Sequence, residues 1–283
     1  MENRDQLVLK ALKAAEQLRK KLNINSLSII DPVDIALKMG CSVRYENIES
    51  LEGMYAKEPS PTIIIGSYRP NGRKVFTCAH ELGHHYFNHG TKIDQLTTQN
   101  VSGFDSDEFL VDCFAGFLLM PKRIVMNMLS KQNINIKHVT AMEIFKLSSI
   151  FGVGYGTILN HLTYSLKMIT KEQLRNLKKF TPKDIKRQLG VDTSNDLIIV
   201  DNNWPNKPVD LQVDDYIACP KSFKIDNHFL EISYEAKSAE FSFYKAKNVG
   251  YSRILNNNWA ANIRISRREY SGLARYRFLS EED

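Results

Sequence analysis

The chain has 283 residues and a formal net charge of +6 at pH 7, a length suited to one or two domains and a charge that permits contact with nucleic acid or an acidic partner without requiring either. No N-terminal apolar stretch is long enough for a signal peptide or a membrane span, so the expectation is a cytoplasmic protein without membrane contact. Its four cysteines, Cys41, Cys78, Cys113 and Cys219, are scattered; they lack the spacing of a zinc knuckle or a secreted disulfide framework and read as small core residues.

In chain order, Gln6 to Leu22 reads as an amphipathic helix, with Val8, Ala11, Leu12, Ala15, Leu18 and Leu22 at helical spacing. Ser42 to Arg44 and Thr62 to Ile65 read as strands. The second ends at Gly66, just before the basic loop Arg69 to Lys74, and is either a plain core strand or the wall of a cleft.

His80-Glu81-Leu82-Gly83-His84 follows on an apolar helix that runs from Val75 to Phe87. Two histidines four apart share one helix face, where both imidazoles can reach a single zinc. A catalytic zinc takes three protein ligands and keeps a position for water. Glu81, one residue after the first histidine, stands beside the metal and can take a proton from that water. His85 and His89 are also four apart, but they lack a glutamate at that place and are expected to face solvent or a cleft rim.

A third ligand has a candidate in Glu108, which opens the apolar helical run Phe109 to Met120, ended by Pro121. Asp112, one turn on, can accept a hydrogen bond from the free ring nitrogen of a liganding histidine and so fix its orientation. The plainer reading is that Asp107, Glu108 and Asp112 decorate a helix N-terminus, where negative charge is favoured. That suits Asp107 best; Asp112 falls inside the hydrophobic stripe and is expected to need a partner.

Phe76-Thr77-Cys78-Ala79-His80-Glu81-Leu82-Gly83-His84 and Asp112-Cys113-Phe114-Ala115-Gly116-Phe117-Leu118-Leu119-Met120-Pro121 together resemble the ImmA/IrrE-like metallopeptidases, thermolysin-like zincins that use a glutamate on a second helix. Glu108 falls where that family places its acidic ligand, whereas Asp112 stands where the family usually carries asparagine. Asp31 to Gly40 is similar, more weakly, to the short helix and glycine turn before the family's first strands. The resemblance covers roughly the first 165 residues of a domain-sized segment. It implies a zinc endopeptidase with His80, His84 and Glu108 on Zn2+, Glu81 as general base, and a selective protein substrate, often a helix-turn-helix repressor. Substrate recognition by strand addition at an edge beside the zinc helix is implied by the same analogy.

Beyond Pro121 the chain reads as helical through Ile124 to Leu129 and from Met142 to Lys167, and Ile144 to Leu162 has the outline of two helices joined by a glycine-containing turn. Its second helix offers Thr157, Asn160 and His161 rather than basic side chains, so a packing role is expected over DNA reading. Tyr155 and His161 are candidates for an oxyanion donor, with helix-end packing the expected role of each. Lys171 to Leu189 reads as a charged helix or helix pair broken at Pro182 and stopped at Gly190. Leu197–Val200, Tyr216–Ala218, Phe229–Tyr234, Glu240–Tyr244 and Asn262–Ile265 then read as strands between turns. Arg264, Arg267, Arg268, Arg275 and Arg277, interleaved with Tyr270, Tyr276 and Phe278, fit a solvated strand face or a contact to an acidic partner or nucleic acid.

The expected architecture is α+β: a zincin-like domain over residues 1–170, a helical linker over 171–190 and a smaller β-rich domain over 191–283 that senses a signal or selects substrate. The competing class is a non-catalytic zinc-containing regulator that binds protein or DNA. The oligomeric state is not legible.

Overall fold

α1 (Arg4–Lys21) begins at Asn3, whose side chain accepts from the Gln6 amide while Gln6 reciprocates, and it ends in Arg19, Lys20 and Lys21. Cations suit the negative end of the helix dipole. Leu7, Ala11, Ala14, Ala15 and Leu18 are buried, with Val8 and Leu12 half-buried beside them, close to the stripe expected from spacing. The computed structural model describes residues 3–95, 103–226, 228–233 and 240–279; Tyr234, which closed one expected strand, lies outside them. Among the described residues no helix is long and apolar enough to cross a membrane.

The fold is α+β. α2 (Pro32–Lys38) is capped by Asp31, whose Oδ1 accepts from the Val33 amide at 3.0 Å, with Pro32 at the position where its missing N–H costs nothing. Gly40, at φ +82°, then turns the chain into β1 (Ser42–Glu46), β2 (Leu51–Ala56) and β3 (Thr62–Gly66), which join β4 (Lys92–Gln95) in one sheet. β3 is central, parallel to β1 and antiparallel to β2, and Ile63 and Ile65 are fully buried. It is therefore the plain core strand. The edge beside the helix layer is β4, paired antiparallel with β2. β2 was not expected because Glu52, Gly53 and Ala56 are poor strand formers; its alternating burial and its two neighbours hold it extended.

α3 (Asn71–Phe87) and α4 (Ser106–Leu119) cross at Gly83, where an added Cβ would come within 2.9 Å of Val111 Cβ. Only glycine allows the two backbones to approach this closely. α5 (Lys122–Lys131), α6 (Ala141–Phe151) and α7 (Tyr155–Asn160) follow, the last continuing as a π turn over His161–Ser165. Tyr155, Ile158, Leu159 and His161 are buried, with the Tyr155 hydroxyl donating to Leu177 O at 3.0 Å and His161 Nε2 to Met120 O at 3.0 Å. Both residues pack, as expected.

Burial lowers the His161 pKa from 6.5 to about 4. The unfolded chain thus takes up this proton first as pH falls, and stability present above pH 6.5 is lost toward pH 4, on the order of 3 kcal/mol. Urea unfolding across that range is expected to show the loss, with a shallower slope in His161→Asn; an unchanged slope would reject the assignment.

α8 (Lys171–Leu177) and α9 (Pro182–Gln188) form the expected helix pair, with Pro182 opening the second and Gly190 at φ +83° ending it. β5 (Leu197–Ile199), β6 (Val209–Gln212), β7 (Tyr216–Pro220), β8 (Lys224–Ile225), β9 (Leu230–Ile232), β10 (Phe241–Ala246), β11 (Gly250–Asn256) and β12 (Trp259–Ser266) build two further sheets, ordered β5-β7-β10-β9 and β6-β12-β11-β8. The chain then returns: β13 (Gly272–Leu273) pairs antiparallel with β1, Arg44 opposite Leu273.

The arginine tail is not simply a solvated face. Arg264 grips Asp210 through Nε–Oδ1 at 2.6 Å and reaches Asp31 at 3.4 Å, Arg277 meets Asp31 at 3.1 Å, and Arg268 meets the buried Asp215 at 2.8 Å. Three of the five arginines are thus spent on internal carboxylates, and two of them tie the end of the chain to the cap of α2. A chain ending at Gly190 would lose β13, uncover Tyr45 and leave Asp31 without its cations. It is expected to aggregate or melt well below the full chain. A soluble truncation with the full chain's Tm would contradict this.

Candidate metal centre

α3 and α4 bring the three expected ligands, His80, His84 and Glu108, together at one point. His80 Nε2 and His84 Nε2 lie 3.2 Å apart, and Glu108 Oε2 lies 3.2 Å from the first and 3.5 Å from the second. Two donors each about 2.1 Å from a tetrahedral zinc lie about 3.4 Å apart, so this triangle has the dimensions such an ion requires. The Asp105 side chain accepts from the Asp107 and Glu108 amides, which fixes the first turn of α4, and Lys92 on β4 stands 3.8 Å from the other Glu108 oxygen. Asp107 is a first-turn carboxylate, as the plainer reading had it.

The electrostatics favour positive charge here. Burial opposes protonation of His80, yet hydrogen bonds to Asp112, Asp94 and Glu108 raise its pKa well above the ordinary value. Hydrogen bonds to His80 and His84 hold Glu108 well below the usual carboxylate range. A cation seated among these donors would meet the same field.

Asp112 Oδ1 lies 2.9 Å from His80 Nδ1, on the ring nitrogen away from the triangle. Contrary to expectation it is not buried: its side chain is 59% exposed. Asp112 lines the cleft instead of the core. His84 has a corresponding contact that spacing did not reveal. His89 Nδ1 lies 3.1 Å from His84 Nδ1, because Asn88 adopts a left-handed conformation at φ 58° and turns the chain back after α3. His85 departs from expectation too, with Nδ1 2.9 Å from the Tyr55 hydroxyl.

Glu81 is fully buried and neither carboxylate oxygen has a hydrogen-bond partner. Burial is the main cause that raises its pKa to about 8; nearby His80 opposes the rise, and Asp94 and Glu108 add to it. The space it occupies exists because residue 53 on β2 is glycine, where an added Cβ would fall 2.5 Å from Glu81 Oε1. Asp94 on β4, absent from any motif, puts Oδ2 3.2 Å from His80 Nε2 and forms a second possible cation group with His80 and Glu81. A lone acid in a short strand gives no signal in sequence.

His80, Asp94 and Asp112 open on a cleft of about 700 Å³. Glu52, His80, Asp94 and Asp112 line one part, and Lys186, Ser194, Asp196 and Leu197, from α9 and the chain after it, line another. All four cysteines are buried and free, and none belongs to a possible cation group among the described residues.

The family model described as the IrrE N-terminal-like domain, peptidase M78, matches residues 36–163. That span runs from α2 to the π turn after α7 and contains every side chain of the triangle. No curated protein matches the chain.

Proposed function

Residues 36–163 are a domain of the ImmA/IrrE-like metallopeptidase family, and from that premise we propose that the protein is a zinc-dependent endopeptidase acting on a selected protein. The observation that carries this reading is the triangle of His80, His84 and Glu108 donors with a buried, uncommitted Glu81 carboxylate beside it. His80, His84 and Glu108 would hold the ion. Zinc bound there would polarise the scissile carbonyl and lower the pKa of a water molecule. Glu81 accepts the water's proton and then passes it to the leaving amine nitrogen, a task open to a carboxylate whose oxygens have no other hydrogen-bond partner. Asp112 holds His80 in one tautomer through Nδ1.

The substrate backbone pairs with the outer edge of β4 by strand addition, a reading supported by the place of β4 at the end of its sheet and of Asp94 at the cleft. The division into a peptidase unit over 1–170, a linker over 171–190 and a recognition or sensing unit over 191–283 is part of the proposal. It is supported by Ser194, Asp196 and Leu197, which line the cleft from beyond residue 190. A helix-turn-helix repressor is the substrate implied by the family resemblance. Co-expression with the proteins encoded beside it, followed by intact-mass analysis, tests this: one neighbour should be clipped by the wild type and left whole by Glu81→Gln. An uncut neighbour, bound equally by both forms, would favour the non-catalytic regulator.

Asp112→Ala is expected to keep the fold and weaken zinc affinity or activity roughly ten- to a hundredfold. Wild-type values for both would leave Asp112 as surface charge alone.

A further inference from the structure

A second cavity, of about 260 Å³, lies between the first sheet with its helices and the β-rich region. Six basic and three acidic side chains line it. Two of the acids are already committed: both Asp210 oxygens accept from Arg264, while Asp31 caps α2 and receives Arg264 and Arg277. The third, Asp34, is exposed. Arg264, Arg268 and Arg277 are paired with Asp210, Asp215 and Asp31, whereas two ammonium groups at the cavity have no carboxylate within ion-pair distance among the described residues. Lys74, on α3, is 3% exposed and donates once, to Ser67 O at 3.3 Å, although an ammonium has three donors. Lys207, in the loop before β6, lies over the Trp204 ring at 5.4 Å.

An ammonium buried without a counter-ion is costly. Burial indeed lowers the Lys74 pKa to about 8, despite Asp215 and Asp196 nearby. The same cavity offers apolar and aromatic surface, including Trp204, Tyr45 and Phe278, and its volume is that of about nine waters. The lining is about equally polar and apolar, so the concave space suits a small molecule that carries a charged group on an apolar body.

We propose that this cavity binds a small organic anion, its carboxylate or phosphate group paired with Lys74 and its apolar body against the aromatic wall, so that the ligand bridges the two halves of the chain. Lys207, on the opposite half, adds to the attraction. The site is separate from the metal centre, since none of the triangle residues lines it. It is also adjacent: Asn71, Ser149, Gly152 and Ile198 line both the cavity and the cleft. Lys74 precedes His80 by six residues on α3, about 9 Å along the axis.

The test is calorimetric titration of the full chain with phenyl phosphate and with phenylacetate, which separate the two anionic groups, and with benzyl alcohol as the neutral control. At least one anion should bind one per chain with Kd at or below about 1 mM and raise Tm, while benzyl alcohol does neither. Lys74→Met should weaken that binding by at least about tenfold. If Lys74→Met fails to fold, Lys207→Met, at a less buried position, should weaken it by roughly threefold or more. Binding that survives unchanged in the folded variant belongs to the metal centre or the surface and overturns the proposal. So does equal binding of benzyl alcohol, or no saturable binding of either anion up to roughly 10 mM.

Discussion

Glu81→Gln is expected to fold, to hold its metal and to lose roughly two to four orders of magnitude in cleavage rate, the usual scale for a positioned general base and acid. The amide has nearly the shape of the carboxyl it replaces, so the close fit against Gly53 is kept. It cannot take up the water's proton. The amide is as buried and as short of hydrogen-bond partners as the carboxyl it replaces, so the variant should melt close to the wild-type temperature. Single-turnover cleavage, metal content and thermal melts distinguish the outcomes. Cleavage within about tenfold of wild type would remove Glu81 from the chemistry.

His80→Ala and Glu108→Ala are each expected to lose most of the metal, where the wild type should carry about one zinc per chain. Each removes one corner of a triangle whose sides are 3.2, 3.2 and 3.5 Å, leaving two donors where a stable site needs three. The two losses should also differ. Glu108→Ala takes away the negative charge that offsets the ion, but Asp94 remains 3.2 Å from His80 and can retain a weakly held fraction. His85→Ala is the control, because His85 belongs to the Tyr55 hydroxyl and not to the triangle. Metal analysis after dialysis against a weak chelator reads all three. Full zinc in His80→Ala and Glu108→Ala, or its loss in His85→Ala, would reject the coordination.

The approach of His80 to His84, with Glu81 beside them, was legible because helical geometry is local. Residues four apart share a face whatever surrounds them, so His80 and His84 were bound to meet once α3 formed, and Glu81 was bound to stand beside them. Glu108 and Asp112 were legible at one remove, through their place on a second apolar helix and through family resemblance. His89 and Asp94 were not. The contact of His89 with His84 depends on a left-handed residue at Asn88 that spacing rules do not follow. Asp94 reaches His80 only because β4 joins the sheet as its edge, through a pairing with β2 that itself gave no strand signature.

The sequence by itself determined the elements whose signals are periodic or punctuated: α1 from its apolar spacing, α8 and α9 from the break at Pro182 and the stop at Gly190, and the strand Ile63-Ile64-Ile65. It also put His80, Glu81 and His84 on one turn of an apolar helix. Only the tertiary structure decided which strand forms the sheet edge, whether Asp112 faces core or cleft, and where the C-terminal arginines spend their charge. Those outcomes depend on partners far away in the chain, such as Arg44 opposite Leu273 and Asp31 between Arg264 and Arg277. Pairing and burial are set by the whole packed fold, whereas helix faces, caps and breaks are set by the nearest few residues.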